Sequence, residues 1–311
     1  MLLYNTLEEL GEIKTKTAVA LGTFDGVHIG HQAIIKKAVE WAKKQDAISV
    51  VFTFRNHPLS VIAPDKCPQL ILPEDSKAKY IENLGVDILL NVPFENSLLS
   101  LSPQEFISFL KKKLRPGYVV VGPNYSFGYR GAGTPELLQE TGYDNAFEVE
   151  IHPAIQLDGK IVSSTAIRQL LNQGDILSAS KLLGRNYIMH NMTVSHGQQR
   201  GRKLGFPTAN LEISSGFVVP RSGVYIVKVL YDSRFYPGVA NVGNNPTFGD
   251  LTKHIEVHIL DFAEIIYGEK IDLFFCNRLR EELRFEGPEL LIKQITADIA
   301  AARKYFNNTY A

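Results

Sequence analysis

The architecture of the first half of this chain follows from one stretch, Thr17-Ala-Val-Ala-Leu-Gly-Thr-Phe-Asp-Gly-Val-His-Ile-Gly-His31. It begins with a short apolar run that ends at Gly22, which is typical of a buried strand. A helical stripe of apolar residues follows, from about His28 to Lys44. This strand, glycine-rich turn and helix predict a ligand site, because ligands of open α/β sheets bind at the carboxyl ends of the strands.

The first half continues with further strands and helices. Ser102, Pro103 and Glu105 have the residue types of a helix N-cap and its first turn, and they predict a helix that ends near Leu114. Short apolar strands separated by helices predict an α/β fold with a mostly parallel, doubly wound sheet. The other strands are expected at residues 48–54, 86–92, 117–122 and 147–151.

The second half has a different pattern, in which alternating β segments follow one another with little helix between them. We expect these strands to form a small antiparallel β-barrel, followed by an amphipathic helix from Pro288 to about Tyr305. The predicted domains are residues 1–183 and 184–311. The barrel strands are expected at residues 187–195, 224–231, 235–242, 254–260 and 271–277.

Composition excludes several classes of protein. The 311 residues contain 33 Lys+Arg and 33 Asp+Glu, a balance that speaks against a nucleic-acid or membrane-surface partner. We expect neither a signal peptide nor a membrane helix, and the sequence does not indicate a protein partner. Cys67 and Cys276 lie far apart, which excludes a disulfide scaffold or a cysteine zinc site and favours the cytoplasm.

The turn after the first strand has the residue types of a phosphate site. A helix N-terminus offers free N–H groups and partial positive charge, and Gly22 and Gly26 permit close backbone approach. His28 and His31 share one face of the first helical turn and can stabilise charge in a transition state. The alternative, two surface histidines beside a glycine turn, is the better interpretation only for an isolated pair.

A second element of this site is Val162-Ser-Ser-Thr-Ala-Ile-Arg168. Ser163 or Ser164 can cap the helix that follows. Ser164 and Arg168 are four residues apart on that helix, so they face the same way, and Arg168 can grip a phosphate. Alone, the segment is equally compatible with a plain N-cap.

The second half lacks a GxxxxGK[ST] motif, so P-loop phosphoryl transfer is excluded. It has His196-Gly-Gln-Gln-Arg-Gly-Arg-Lys-Leu-Gly-Phe-Pro-Thr-Ala-Asn210 instead, whose glycines and basic residues can wrap phosphates. Thr208 and Asn210 are two apart, so in a strand they share a face and can hold Mg²⁺ beside phosphates. The alternative is a glycine-rich turn that leads into a β corner.

A further cluster lies on one strand face, where His254, Glu256 and His258 alternate with apolar residues. Glu256 can serve as a base toward a neutral hydroxyl nucleophile. Two alternatives stay open, a solvated strand face and a His-Glu-His metal site.

The first two motifs resemble the nucleotidyltransferase superfamily and, more narrowly, the bacterial bifunctional riboflavin kinase/FMN adenylyltransferases, also called FAD synthetases. The resemblance extends to Phe52-Thr-Phe-Arg-Asn-His-Pro58 and Val121-Gly-Pro-Asn-Tyr-Ser-Phe-Gly128. The second half resembles the riboflavin kinase domain of that family. The matching segments there are Gly205-Phe-Pro-Thr-Ala-Asn210, Asn241-Val-Gly-Asn-Asn-Pro-Thr-Phe-Gly249, the Glu256 strand and Leu279-Arg-Glu-Glu-Leu-Arg-Phe285.

The resemblance implies that ATP and Mg²⁺ serve two steps, riboflavin to FMN and then FMN to FAD. It implies a base role for Glu256, catalytic roles for His28, His31 and Arg168, and metal binding by Thr208 and Asn210. Flavin contacts fall on His57, Pro58, Asn124 and Phe285, although His57 fits a loop cap and Phe285 a core position equally well. ATP or phosphate contacts fall on Gly22, Phe24, Asp25, Gly26, His28, His31, Ser164, Thr165, Arg168, Gly205, Pro207, Thr208 and Asn210.

Three rival functions are compatible with parts of the sequence. Residues 129–134 are less charged than the resemblance leads one to expect, which would suit a kinase with a weak adenylyltransferase. A flavin-binding regulatory protein could share the fold without the chemistry. An adenylyltransferase for a pantetheine or nicotinamide phosphate would carry an unrelated barrel.

Overall fold

The computed structural model describes residues 1–196, 201, 204–244 and 253–309. The chain forms two compact units, Met1–Ser164 and Thr165–Ala311. The domain boundary that the sequence suggests, between residues 183 and 184, stays a prediction.

The first unit is built on a parallel sheet of six strands. Its order, β1-β4-β3-β2-β5-β6, reverses direction at β2, and every neighbouring pair is parallel. The carboxyl ends of β2 and β5 therefore border the crevice in which such sheets bind ligands. The strands are β1 (Leu2–Tyr4), β2 (Thr17–Leu21), β3 (Ile48–Phe54), β4 (Ile88–Val92), β5 (Pro116–Val121) and β6 (Glu148–Ile151).

Helices cover this sheet, and two of them begin as the sequence predicts. The predicted apolar stripe of α1 is buried, from Ile34 to Ala42. At the start of α5 the Ser102 hydroxyl accepts from the Glu105 N–H at 3.2 Å, and the Glu105 carboxylate accepts from the Ser102 N–H at 2.7 Å. The helices are α1 (Ile29–Lys44), α2 (Leu59–Ile62), α3 (Glu74–Glu82), α4 (Asn96–Leu99), α5 (Pro103–Leu114) and α6 (Pro135–Asp144), and a hairpin of β7 (Gln156–Leu157) and β8 (Lys160–Ile161) follows.

The second unit is a closed antiparallel barrel of the order β10-β13-β12-β11-β14-β9. The predicted fold class is thus confirmed for both halves. β9 has the predicted bounds, whereas the other predicted barrel strands have different limits. The elements are α7 (Ser164–Gln173), α8 (Ile176–Leu183), β9 (Tyr187–Ser195), β10 (Ala209–Leu211), β11 (Gly223–Tyr231), β12 (Arg234–Asn244), β13 (Lys253–Ile259), β14 (Lys270–Arg280) and α9 (Pro288–Thr309).

The C-terminal helix α9 is fastened to the barrel by an ion pair. The Arg280 guanidinium donates to Asp298 through Nη2 at 2.7 Å and through Nε at 3.1 Å. The Asp298 side chain is only 8% exposed, and Gln294 donates a further hydrogen bond to it. Ala302, one turn later, is buried in the apolar cluster between helix and barrel.

Candidate active sites

The glycine-rich turn between β2 and α1 brings His28 and His31 together. His28 is the N-cap of α1, and its Nδ1 accepts a hydrogen bond from the His31 N–H at 3.2 Å. That bond requires an unprotonated Nδ1, so the neutral ring carries its proton on Nε2. The two rings stack with their centroids 3.5 Å apart. The pair therefore offers imidazole donors at the positive end of a helix.

Electrostatics favour the neutral form of His31. Burial of the ring, the neighbouring His28 and the ammonium of Lys77 hold the pKa of His31 well below its usual range. Its Nδ1 is buried and finds no hydrogen-bond partner among the residues that the structure describes. The edge of the ring meets Phe24, with the centroids 5.3 Å apart.

The turn itself has a strained backbone. Phe24 and Val27 adopt positive φ angles of 48° and 38°, which residues with side chains rarely do. Gly26 has a φ of 83°, and a Cβ there would lie 3.1 Å from Ile71. Strain of this kind collects at functional sites, where the surrounding structure holds it in place.

Asp25 holds this turn in place through hydrogen bonds with the backbone of a distant segment. Its buried carboxylate accepts from the N–H groups of Ile71 at 3.0 Å and Leu72 at 3.3 Å. The Ser164 hydroxyl donates to the Asp25 carbonyl at 2.9 Å, so the predicted Ser164 does meet the turn. The phosphate contacts predicted for both residues stay predictions.

Thr165 and Arg168 continue the helix that Ser164 begins, with Arg168 one turn further along. Both belong to the second compact unit. Their predicted contacts with ATP stay predictions.

The predicted flavin residues of the first unit lie on loops after β3 and β5. His57 Nδ1 accepts from the Leu59 N–H at 3.1 Å, which is the loop cap that the sequence left as an alternative. Pro58 is the N-cap of α2. Asn124 is exposed in a turn that the Tyr125 N–H closes by donating to the Gly122 carbonyl at 3.1 Å.

Lys77 of α3 is a candidate that sequence reasoning missed. Its side chain is buried, and Nζ donates to the carbonyl of Phe54 at 2.5 Å. Burial lowers the pKa of Lys77 to about 8, although Asp25 and Glu74 oppose the shift. The surrounding sequence, Glu-Asp-Ser-Lys-Ala-Lys, is that of an exposed helix and gives no sign of the burial.

The second site is centred on Glu256 of β13. Strand register places Asn210 of β10 on one side of Glu256 and Asn241 of β12 on the other. Thr208 lies one residue before β10 rather than within a strand, and its hydroxyl is 3.4 Å from the Glu256 carboxylate. The barrel therefore gathers the Glu256 carboxylate and several neutral polar groups at one place on its wall.

Backbone hydrogen bonds hold the described residues before Thr208. The Gly201 carbonyl accepts from the N–H groups of Leu204 at 3.0 Å and Phe206 at 2.9 Å. A Cβ on Gly201 would lie 2.4 Å from the Phe206 carbonyl oxygen, so only glycine fits there. Gly205 has a φ of 88°. The other quoted motif positions, at 197–200, 202–203 and 245–249, lie outside the described residues.

The histidines beside Glu256 do not converge on a metal site. His258 Nδ1 is 2.8 Å from the Pro207 carbonyl, and its ring meets the edge of Phe206. Within the described ranges, which omit 197–200, 202–203, 245–252 and 310–311, no group of three or more His, Cys, Asp or Glu is placed to hold a metal ion.

Phe285 follows β14 and is partly buried, and its flavin contact stays a prediction.

Comparison with known proteins assigns both halves. The FAD synthetase family model matches residues 11–166, and the riboflavin kinase model matches residues 183–306. A bifunctional riboflavin kinase/FMN adenylyltransferase of Bacillus subtilis is 37% identical over 301 residues, which cover 96% of this chain and 95% of the relative. The chain belongs to the bifunctional riboflavin kinase/FMN adenylyltransferase family.

Other members of this family match over nearly the full length. The relative from Listeria monocytogenes is 39% identical, over 93% of this chain and 92% of its own. A solved structure described as a macrolide-efflux protein from Streptococcus pneumoniae has a TM-score of 0.88 and 33% identity, and covers 97% of this chain and 98% of its own. No helix in the described part of this chain is long and apolar enough to cross a membrane.

These matches confirm the predicted pairing of a riboflavin kinase with an FMN adenylyltransferase. This pairing of activities entails ATP as the co-substrate and FMN and FAD as the products. The rival with an unrelated barrel is excluded, because the riboflavin kinase model covers the barrel.

Proposed function

We propose that the barrel site phosphorylates riboflavin and that the site at the sheet edge adenylylates the resulting FMN. The observation that supports this division is the chemistry of each site: a carboxylate, Glu256, among neutral polar groups in the barrel, and two stacked imidazoles, His28 and His31, at a helix N-terminus. The proposed domains are residues 1–183 for adenylylation and 184–311 for phosphorylation.

In the kinase step, Glu256 accepts the proton of a riboflavin hydroxyl as that oxygen attacks the γ-phosphorus of ATP. The bond from the γ-phosphorus to the bridging oxygen breaks, and ADP leaves with the electron pair. A base is needed because the nucleophile is a neutral hydroxyl. Thr208 orients the Glu256 carboxylate through their 3.4 Å contact, and Phe285 lies against the flavin.

We propose Mg²⁺ for this site. The side-chain oxygens of Thr208 and Asn210, beside Glu256, form the kind of oxygen set that Mg²⁺ shares with phosphates. Thr208 and Asn210 would hold the ion, which supplies neutralisation of phosphate charge. Gly205 and Pro207 keep the adjoining loop close enough for contacts with ATP.

In the adenylyl step, a phosphate oxygen of FMN attacks the α-phosphorus of ATP, and pyrophosphate leaves. No base is needed, because the attacking oxygen is already anionic. His28 and His31 donate hydrogen bonds to ATP phosphate oxygens as negative charge moves onto the leaving group, and Arg168 adds a full positive charge. The turn that contains Gly22, Phe24, Asp25 and Gly26 shapes the ATP pocket together with Ser164. A contact between Thr165 and ATP is also part of the proposal.

The flavin end of this second reaction falls to the loops after β3 and β5, with contacts from His57, Pro58 and Asn124.

We also propose that the protein works in the cytoplasm. Both cysteines, Cys67 and Cys276, are free thiols, as is usual in a reducing compartment.

A time course tests the proposal. Pure protein is incubated with riboflavin, ATP and Mg²⁺, and the flavins are separated by chromatography. FMN appears first and FAD follows. FMN without FAD would leave only the kinase and direct attention to residues 129–134, whereas tight flavin binding without turnover would indicate a regulatory binder.

A further inference from the structure

Lys77 carries a buried ammonium group that makes few polar contacts within the described part of the chain. Only 6% of the residue is exposed, although it lies on a short surface helix, α3. An ammonium group has three hydrogens to donate. In the described part of the chain its hydrogen bond goes to one acceptor, the carbonyl of Phe54 at the end of β3.

The two nearby carboxylates are engaged elsewhere. Asp25 accepts from the backbone N–H groups of Ile71 and Leu72. Glu74 accepts from Arg55 Nε at 2.8 Å and from Asn91 Nδ2 at 2.9 Å. Among the described residues, neither carboxylate makes an ion pair with Lys77. A buried charge without an ion pair is costly, and such groups concentrate at functional sites.

A small cavity adjoins the Lys77 side chain. It has a volume of about 20 Å³, and its lining includes Thr23, Asn56, His57 and Lys77. That is room for about one water molecule, or for one oxygen of a phosphate group whose other atoms stay outside the cavity. Thr23 follows β2 and His57 follows β3, so the cavity lies at the carboxyl edge of the sheet, beside the turn that carries His28 and His31.

We propose that Lys77 binds the phosphate group of FMN during adenylyl transfer. The inference rests on the proposed function and adds a residue to the first site. In the proposed function the imidazoles of His28 and His31, which lie at the N-terminus of α1, bind the ATP phosphates. Lys77 lies on the β3 side instead, in the same cavity as the predicted flavin residue His57.

The charge balance of the reaction explains why a lysine is useful there. Two polyanions, FMN and ATP, must approach within bonding distance, and their repulsion is strong in a partly buried site. A positive charge beside the nucleophilic phosphate offsets it. The groups that face Lys77 are Asp25 and His31 from the turn, Arg55 and His57 from the end of β3, and Glu74 from its own helix.

This placement also predicts a dependence on pH. Burial lowers the pKa of Lys77 to about 8, so the free site loses its positive charge as the pH rises through that value. A bound phosphate raises the pKa again, because an opposite charge favours the protonated amine. The apparent affinity for FMN should therefore fall as the pH rises through about 8.

The test uses the full chain with FMN and ATP supplied directly. Lys77→Met removes the charge and keeps an unbranched side chain, and Lys79→Met, at an exposed position on the same helix, is the matched control. Lys77→Met should raise KM for FMN roughly 10- to 100-fold, the worth of a hydrogen bond to a charged group, and leave KM for ATP within about twofold. Lys79→Met should leave both constants unchanged.

A second variant keeps the inference testable if Lys77→Met folds poorly. Lys77→Arg stays protonated at all accessible pH, so the decline of kcat/KM for FMN above pH about 8 should disappear. An unchanged KM for FMN in Lys77→Met, a rise confined to KM for ATP, or identical pH profiles of wild type and Lys77→Arg would each overturn the proposal. If the wild-type protein makes no FAD from FMN at all, the proposed function fails instead.

Discussion

The two sites of this chain solve opposite electrostatic problems. The barrel site places a carboxylate, Glu256, between Asn210 and Asn241. The site at the sheet edge gathers hydrogen-bond donors, the imidazoles of His28 and His31 and the ammonium group of Lys77, while the carboxylate of Asp25 is occupied by backbone N–H groups. The difference follows the nucleophile: a neutral hydroxyl needs a base, and an anionic phosphate needs its charge neutralised.

The net charge of the whole chain gives no information about the charge at either site. The chain as a whole carries no formal net charge at pH 7. The chemistry therefore depends on local charge that each fold concentrates at one place, the carboxyl edge of a parallel sheet in one unit and a barrel wall in the other.

Removal of the base should have the largest effect, and it should affect only one of the two reactions. Glu256→Gln keeps the shape and loses the negative charge, so riboflavin phosphorylation should fall roughly 10²- to 10⁴-fold. FMN adenylylation, assayed with FMN supplied, should keep its wild-type rate. A Glu256→Gln variant that phosphorylates riboflavin normally would refute the assignment of the base.

The converse change targets the histidine pair. His28→Asn retains a good N-cap for α1, because asparagine accepts the same backbone hydrogen bond, but removes the imidazole. Adenylylation should fall roughly 10²- to 10³-fold, the usual cost of losing a transition-state donor. Riboflavin should still be converted to FMN, which accumulates in a chromatographic assay. Normal FAD formation would show that His28 serves only as a cap.

A third change asks how firmly α9 supports the barrel. Asp298→Asn breaks a mostly buried ion pair with Arg280 and should lower the free energy of unfolding by about 2 kcal/mol. The matched control is Asp261→Asn, whose ion pair with Arg303 is exposed on both sides and should contribute much less to stability. Denaturant unfolding distinguishes them, and equal losses in the two variants would contradict the account.

The smallest effect concerns stability at the sheet-edge site. The pKa of Lys77 is about 8 in the folded protein, below its ordinary value. Burial of the protonated amine therefore destabilises the folded state at any pH at which the amine keeps its proton. Lys77→Met should therefore raise the free energy of unfolding by about 1–2 kcal/mol at pH 7. The gain should shrink as the pH rises above about 8, where wild type sheds the proton. Thermal unfolding of wild type and Lys77→Met across this pH range measures the difference. If the variant is less stable than wild type at pH 7, burial of the protonated amine does not destabilise the fold.

Much of the fold is predictable because its signals are local. The nine-residue strand β9 has a clear alternating pattern, and the Ser102–Glu105 capping box is set by residue types at fixed spacing. The three-residue strands β1 and β10 were missed because they are too short to show a period. β1 forms only through pairing with β4, as between Leu2 and Ile88, far along the chain.

The candidate sites were predictable to the same extent. Motif spacing predicted that His28 and His31 share one face, which their stacked rings confirm, whereas the catalytic roles of His28, His31 and Glu256 stay predictions. It could not show that Asp25 turns to the backbone at residues 71–72, or that Lys77 is buried, because both depend on contacts between distant segments.

A mixing experiment shows whether the two reactions belong to two independent sites. Glu256→Gln and His28→Asn are each incubated with riboflavin, ATP and Mg²⁺, alone and then together in equal amounts. Alone, the first should leave riboflavin unchanged and the second should stop at FMN, whereas the mixture should produce FAD, because each variant retains the site that the other has lost. A mixture that accumulates only FMN, or that leaves riboflavin untouched, would contradict the division of the two reactions between two independent sites.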